Sequence, residues 1–235
     1  MNKIFLVCSV ACMAMFSFTA CEEEEWNDSK VTYYATLTLE GDEVILLDKG
    51  TAYVEPGYSA EMKGEDVTSG VIVDSNLDAN TSGMYTVSYK FVNEDGFAAT
   101  ASRIIVVADP TDPIEGLYYS NPASYRNSKG TITIYKGEFM VLIFNNGDGT
   151  YNIDDVLGGY YGQRAGYGSR YYMYGDISVA EDGTVTLIDN GVPGWGNSAD
   201  AFKDGKWNAT TKTFSWDVVY AGMDFYVTLN KFVNE

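Results

Sequence analysis

The chain has 235 residues, a formal net charge of −18 at pH 7 and 19 tyrosines. It contains no histidine, and its three cysteines, Cys8, Cys12 and Cys21, all lie near the start of the chain. This composition excludes histidine-dependent catalysis and histidine-ligated zinc, and it argues against nucleic-acid binding. Carboxylate pairs, lysine, tyrosine and oxygen-ligated metals could still do chemistry, but no pattern selects such a site, so we expect no catalytic residues, no metal site and no cofactor.

The first residues are typical of an export signal. Lys3 precedes an uncharged apolar run from Ile4 to Phe18, which is shorter than the ~20 residues that a membrane-spanning helix needs. The four residues that end at Cys21, Phe-Thr-Ala-Cys, resemble the lipobox of bacterial lipoproteins. The resemblance implies a signal peptide over residues 1–20 and lipidation at Cys21. An ordinary signal peptide that ends in a chance cysteine is the alternative.

An acidic run, Glu22 to Glu25, follows Cys21 directly. Such runs stay solvated and disordered, so we expect an acidic tether over residues 21–31, with Trp26 inside it. The run also resembles the export tag of Bacteroidetes lipoproteins that are sent to the cell exterior. That resemblance implies a protein held in the outer membrane by lipid and facing outward.

The rest of the chain alternates apolar and polar side chains in short runs separated by Gly, Asp and Asn, which predicts an all-β fold. Pro110 and Pro113 interrupt this pattern, and prolines this close disfavour both helix and strand pairing. We predict a β-sandwich over residues 32–109, a proline linker over 110–113 and a second β domain over 114–235.

Four segments of the first domain resemble the bacterial surface Ig-like domain. They are Glu55–Ala60, Ser82–Tyr89, Asp95–Ala99 and Arg103–Val107. The resemblance implies an Ig-like sandwich that acts as a spacer or interaction module. Phe97 departs from the family pattern, which usually has Asn at that position.

The second domain contains about eight alternating segments in sequence, which predicts an antiparallel β-barrel or sandwich. Its Gly-x-Tyr opening, with Gly116 and Tyr118, and its closing hairpin, with Trp207 and Trp216, resemble C-terminal domains of small Bacteroidetes lipoproteins. Such proteins are encoded beside SusC/SusD-type nutrient importers, so the resemblance implies an importer as partner. We expect Trp207 and Trp216 to face each other in the core.

Residues 158–174 hold six tyrosines, five glycines and two arginines, and residues 191–197 place a tryptophan among glycines and a proline. Aromatic and guanidinium groups of this kind stack on sugar rings or peptide planes and donate hydrogen bonds. The predicted ligand-binding residues are Tyr160, Tyr161, Arg164, Tyr167, Arg170 and Trp195. The alternatives are a hairpin whose tyrosines pack on the barrel and a Trp195 that closes the barrel end.

Exposure within this segment is also predicted from the sequence. We expect Tyr160, Tyr161 and Tyr167 to be more exposed than Tyr172 and Tyr174, because the last two fall in a strand pattern.

Three aspartates, Asp148, Asp154 and Asp155, lie near glycines and superficially resemble a calcium loop. The closing Glu of the EF-hand pattern is missing, so we predict a hairpin turn. No sequence feature selects an opposed carboxylate pair of the kind that glycosidases use.

These observations predict a non-catalytic surface lipoprotein of a SusC/SusD-type nutrient uptake system. Its C-terminal domain would bind an oligosaccharide or a peptide, or dock on the importer. The main alternative is a structural or adhesive cell-surface spacer with no small ligand, and an enzyme ranks third.

Overall fold

The computed structural model describes residues 31–233. The predicted signal peptide, the predicted lipid site at Cys21 and the predicted tether up to residue 30 lie outside the described residues. Within residues 31–233, no helix combines the length and the apolar character that crossing a membrane requires.

Short strands make up most of the described chain. The first group is β1 (Thr36–Leu39), β2 (Val44–Asp48), β3 (Tyr58–Met62), β4 (Glu65–Asp66), β5 (Ile72–Ser75), β6 (Gly83–Val92) and β7 (Ala98–Ala108). The second group is β8 (Gly116–Ser120), β9 (Tyr125–Ser128), β10 (Thr131–Ile134), β11 (Met140–Asn145), β12 (Thr150–Ile153), β13 (Tyr174–Val179), β14 (Val185–Gly191), β15 (Ala201–Asn208), β16 (Thr213–Tyr220) and β17 (Met223–Lys231). The short helical turns are 3-10 at Thr68–Gly70, π at Tyr160–Arg164 and 3-10 at Ser169–Tyr171.

Strands β1 to β7 form a two-sheet sandwich. One sheet has the order β1-β3-β4 and the other β2-β7-β6-β5, in which β2 runs parallel to β7. The inward side chains Val87 and Tyr89 alternate along β6 with exposed Ser88 and Lys90, as the period of two along a strand requires. They pack on Ile105 to make the core between the sheets, which confirms the predicted Ig-like sandwich.

A fully buried arginine ties the two sheets together. Arg103 on β7 pairs with Glu55 at 3.2 Å and donates hydrogen bonds to backbone carbonyls of neighbouring segments. These acceptors are the carbonyl oxygens of Glu40 at 2.9 Å, Gly57 at 3.2 Å and Asp42. Because Glu55, Gly57 and Arg103 all belong to the Ig-like sequence pattern, the pattern includes one buried arginine together with two of its partners.

The carboxylate of Glu55 has further donors on the same side of the sandwich. The hydroxyl of Tyr53 donates to its Oε2 at 2.8 Å, and Tyr89 donates to the same oxygen. Burial works to raise the pKa of Glu55, but the hydrogen bonds from Tyr89 and Tyr53 and the charge of Arg103 outweigh it, so the pKa is lowered. Glu55 therefore stays ionised and keeps Arg103 paired.

The second group of strands forms one antiparallel sheet that curls into a half-barrel of about eight strands, which confirms the predicted all-β class. Its order runs β14-β13-β12-β11-β8-β17, with β16 and then β15 on the other side of β17. A single bridge between Thr184 and Lys206 brings β15 near β14. The β9–β10 hairpin pairs with the first half of β17, so it projects beside the main sheet.

The half-barrel core is rich in aromatic rings. Trp207 and Trp216 are both buried there, with 8% and 2% of their surfaces exposed, as predicted. The expectation that they face each other is wrong, because the residue opposite Trp207 on β16 is Phe214. The indole N–H of Trp216 donates to the carbonyl of Val156 at 2.8 Å, which satisfies its only polar group.

The sandwich and the half-barrel share an apolar cluster. Val106 on β7 packs with Leu117 on β8 and Leu142 on β11, and all three are buried. Between β7 and β8, the carboxylate of Glu115 accepts the N–H groups of Asp109 at 2.8 Å and Asn145 at 3.2 Å. The segment that holds the two prolines is therefore fixed by both packing and hydrogen bonds.

We predict that Arg103→Met destabilises the protein by about 3 kcal/mol, because the carbonyls of Glu40, Asp42 and Gly57 lose their buried charged donor. Chemical denaturation of the full-length protein measures this change in the free energy of unfolding. Lys90→Met on the exposed face of β6 is the matched control and should change that free energy little. Equal effects of the two substitutions would contradict the role assigned to Arg103.

Candidate functional site

Four aromatic side chains from two loops meet at one end of the half-barrel. We call Tyr161, Tyr167, Tyr171 and Trp195 the aromatic corner. The Trp195 ring lies 4.8 Å from the rings of Tyr161 and Tyr171 and 6.1 Å from that of Tyr167, centroid to centroid. Trp195 and Tyr167 are 42% and 55% exposed and contact each other edge to face at 84°, so both rings present apolar surface to solvent.

One buried aspartic acid side chain holds both ends of the loop that carries three of these tyrosines. Asp155 is fully buried and accepts the N–H groups of Leu157 at 3.0 Å and Gly159 at 3.1 Å, at the start of the loop. It also accepts the N–H of Met173 at 3.1 Å, at the end of the loop. The ends of the loop are thus fixed to each other through a single side chain.

The middle of the same loop is held by its own backbone and by Gln163. The π turn is closed by the N–H of Ala165, which donates to the carbonyl of Tyr160 at 3.1 Å. The side chain of Gln163 accepts the N–H of Met140 at 3.0 Å and donates to its carbonyl at 2.6 Å, so it pairs with β11 as a strand would. A Cβ at Gly162 would lie 1.9 Å from the Tyr172 ring, which explains the glycine there.

The loop around Trp195 is fastened to its neighbours. The N–H of Gly194 donates to the carbonyl of Arg170 at 2.6 Å, and Asn197 accepts the hydroxyl of Tyr220 on β16 at 2.6 Å. A Cβ at Gly194 would lie 2.6 Å from the Tyr171 ring, so only glycine lets the two loops approach this closely. Trp195 is therefore exposed on a fixed support.

The predicted ligand-binding residues take different positions. Tyr167 and Trp195 are exposed and Tyr161 is half-buried, and all three belong to the aromatic corner. The expected exposure of Tyr160 is wrong, since this ring is only 4% exposed and packs on Tyr135 and Phe225.

The remaining tyrosines of the segment also depart from the sequence pattern. Tyr174 is 37% exposed, more than Tyr160, although it begins a strand. Tyr172, which the strand pattern also predicts to be covered, is half-buried beside Tyr174. The structure therefore reverses the predicted order for Tyr160 and Tyr174, because packing on the core, rather than strand position, decides which ring is covered.

The two predicted arginines are also separated. The side chain of Arg170 is exposed, and the residue contributes its carbonyl to the loop contact with Gly194. Arg164 is half-buried, with its guanidinium 5.1 Å from the centroid of the Tyr160 ring and its Nε donating to the carbonyl of Tyr135 at 3.2 Å. Arg126 on β9, which the sequence analysis did not single out, lies 5.2 Å from the same centroid.

The aspartates near the first hairpin have two different roles. Asp148 caps the turn by accepting the N–H of Thr150 at 2.9 Å, which confirms the predicted hairpin turn. Burial raises the pKa of Asp154 to about 7. Burial and the neighbouring charge of Asp154 raise the pKa of Asp155 to about 8, against the effect of its three backbone donors.

Part of the role of Asp155 is visible in the sequence. An Asp that accepts the N–H two residues later makes a local turn, and Asp155 precedes the Gly158-Gly159 pair that continues it. No local signal reports its contact with Met173 or the approach of Arg126 to Tyr160, because both join segments that are distant in sequence.

An open groove of about 500 Å³ is lined in part by the loop that carries Trp195, through neighbours of Trp195 such as Pro193 and Gly196. Its walls carry amide and carboxylate side chains, and Tyr174 also lines it. The polar lining residues are Asn152, Asp176, Asp189, Asn190 and Asn197. Among residues 31–233, no group of three or more acidic side chains is arranged to hold a metal ion. The exposed rings of the corner offer apolar faces, and the polar side chains of the groove offer hydrogen bonds.

Comparison with known proteins defines the class of the chain. The bacterial surface protein Ig-like domain family matches residues 37–107. A second family, of C-terminal domains, matches residues 107–231. Neither description names an enzymatic activity. The crystal structure of the lipoprotein BT2262 from Bacteroides thetaiotaomicron is 40% identical, with a TM-score of 0.73, and the match covers 84% of this chain and 100% of that one. The chain therefore belongs to the family of this Bacteroides lipoprotein.

Two structures of Clostridium perfringens ZmpB show only a weak likeness. The M60 catalytic domain with its CBM51-1 and CBM51-2 domains is 16% identical, with a TM-score of 0.27, over 51% of this chain and 14% of that one. The structure of CBM51-2 in complex with GlcNAc and INT domains is 13% identical, with a TM-score of 0.28, over 84% and 43%. These TM-scores are too low to support any argument. No curated protein matches the chain.

We predict that Asp155→Ala loosens the whole loop between Leu157 and Met173, because three buried N–H groups lose their acceptor. Each unsatisfied N–H group lowers the stability of the closed loop by about 1–3 kcal/mol. Hydrogen–deuterium exchange should show faster exchange of these amides while β6 and β7 stay protected. Asp148→Ala, in an exposed turn, is the control. Unchanged protection of the loop in Asp155→Ala would contradict the proposed anchoring.

We also predict that the Asp154–Asp155 pair makes the protein less stable as the pH rises from 5 to 9. The folded pKa values of about 7 and about 8 lie above the ordinary value of 3.8, so the folded state binds more protons in this range. The pair's contribution is complete below pH 3.8 and is lost as the pH rises through about 7 and 8.

Asp154→Asn isolates this effect because it keeps the oxygen that accepts the N–H of Leu142. Its free energy of unfolding should fall less steeply with pH than that of the wild type. The difference between the two slopes is at most about 1.4 kcal/mol per pH unit, the value for one proton. Asp148→Asn, whose carboxyl has a lowered pKa, should follow the wild type. Parallel pH profiles for wild type and Asp154→Asn would disprove the coupling.

Proposed function

We propose that this protein is an outer-membrane lipoprotein, anchored through Cys21 and facing the exterior, that binds an oligosaccharide or peptide through its C-terminal domain. It acts without catalysis as an accessory of a SusC/SusD-type uptake system. The family relationship to a Bacteroides lipoprotein and the surface Ig-like domain support the location. The importer association rests on the resemblance of the C-terminal domain alone.

The observation that carries ligand binding is the aromatic corner. Exposing a large indole to water is unfavourable, yet Trp195 stands 42% exposed beside a 55% exposed Tyr167. Their loops are held by the carboxylate of Asp155, by Gln163 and by the contact of Gly194 with Arg170. A ligand therefore meets rings that are already ordered, and little conformational entropy is lost on binding.

The groove beside the corner supplies the complementary chemistry. A binding site typically combines apolar faces with a few convergent polar groups, and the groove brings Asn152, Asp176 and Asn190 next to the loop of Trp195. These amides and carboxylates donate and accept hydrogen bonds with hydroxyls or peptide groups. The corner and the groove together make one site for an extended ligand.

The second candidate function is a structural or adhesive spacer. The burial of Tyr160 and Tyr220, at 4% and 2% exposed, favours it, because the inner layer of the aromatic cluster clearly serves as core. In that case the exposed rings would only cap the end of the half-barrel. Substituting them would lower stability and change no binding.

We predict that Trp195→Ala and Tyr167→Ala each weaken ligand binding about tenfold or more, which corresponds to at least about 1.4 kcal/mol for a central aromatic contact. Retention of neutral oligosaccharide and random peptide libraries by the purified protein measures this. Phe97→Ala is the matched control, since Phe97 is 48% exposed on the sandwich, away from the corner. No retained ligand in wild type, or equal retention by all variants, would favour the spacer.

A further inference from the structure

Two arginines from separate segments converge on one tyrosine ring below the aromatic corner. The guanidinium carbons of Arg126 and Arg164 lie 5.2 Å and 5.1 Å from the centroid of Tyr160. Arg126 donates to the hydroxyl of Thr133 at 3.3 Å, and Arg164 donates to the carbonyl of Tyr135 at 3.2 Å. Each guanidinium has five N–H donors, so most of their hydrogen-bonding capacity is left over.

These two positive charges have no negative partner within the described part of the chain. The ion pair of the sandwich, between Arg103 and Glu55 at 3.2 Å, involves neither of them. The Nε of Arg126 is buried and has no hydrogen-bond acceptor. A buried donor without an acceptor is unfavourable, and the face of Tyr160 compensates the charge only in part. An anion beside the two guanidinium groups would compensate their positive charge.

The arginine pair is continuous with the aromatic corner. The Tyr160 ring that both guanidinium groups approach lies 5.0 Å from the Tyr161 ring, centroid to centroid. Burial raises the pKa of the Tyr161 hydroxyl, and the charge of Arg126 acts against that rise. The ring of Tyr161 in turn lies 4.8 Å from that of Trp195. A ligand seated in the corner can therefore place a negative group next to Arg126.

We infer that Arg126 and Arg164 form a carboxylate-binding subsite that takes the C-terminal carboxylate of a peptide whose last side chain occupies the aromatic corner. This inference rests on the proposed ligand-binding function and names its ligand class. Planar guanidinium groups match the two oxygens of a carboxylate. Trp195 and Tyr167 present exposed ring surface on which one side chain can pack.

The charge of the protein favours a peptide over an acidic glycan. With a net charge of −18, the protein repels a ligand that carries a negative charge on every unit, as acidic polysaccharides do. A peptide brings a single terminal carboxylate whatever its length, and its lysines and arginines are attracted by the acidic surface. The arginine pair then supplies the local positive charge that this one carboxylate needs.

The test uses a random tetrapeptide library in two forms, with a free C-terminal carboxylate and with a C-terminal amide. Equilibrium dialysis with mass spectrometry measures which peptides the wild-type protein retains. We expect the free acids to bind about 10- to 100-fold more tightly than the amides, as expected for hydrogen bonds to a charged group. Arg126→Gln and Arg164→Gln should remove this preference.

Lys129→Gln is the control because it removes a positive charge from an exposed position in the turn that joins β9 and β10. The comparison of acids with amides on the wild type needs no variant, so it holds even if Arg126→Gln fails to fold. Equal retention of both forms, or a preference that survives in Arg164→Gln, overturns the inference.

Oligosaccharides measured in parallel separate this inference from the proposed function. Retention of a glycan that Trp195→Ala abolishes, without any peptide retention, overturns the peptide subsite but leaves the ligand-binding function standing. Retention of neither class overturns both.

Discussion

The geometry of the candidate site depends on one buried carboxyl group. Asp155 accepts three backbone N–H groups from both ends of the loop that carries the tyrosines of the aromatic corner. A fully buried acid is unfavourable by itself, and its raised pKa reports that desolvation. These hydrogen bonds join the two ends of the loop at its base without a disulfide. A rigid base of this kind lets glycine-rich segments present rings at fixed positions, which a flexible loop could not do.

How much the sequence predicts depends on whether the signal is local. The burial of Trp207 and Trp216 and the Ig-like sandwich follow from strand periodicity and a short motif, and both are confirmed. The error at Tyr160 arises because its ring is covered by Tyr135 and Phe225, which come from other strands. Periodicity within residues 158–174 carries no information about such partners.

The same reasoning explains the arginines. Arg164 belongs to the compositional cluster and is visible in the sequence, whereas Arg126 lies in an unremarkable strand and reaches Tyr160 only because the β9–β10 hairpin pairs with β17. The buried Nε of Arg126 has no hydrogen-bond acceptor, and no sequence pattern predicts this. Long-range pairing therefore contributes as much to this site as composition does.

The parallel pairing of β2 with β7 has a mechanical consequence. Five residue pairs, from Val44 with Ile104 to Asp48 with Ala108, join a strand near the start of the described chain to the strand that leads into the half-barrel. A pull between those two points acts along the strands, so the hydrogen bonds of the ladder are loaded together in shear rather than opened one after another. Unfolding under such a load is then governed by a rate of rupture and not by equilibrium stability.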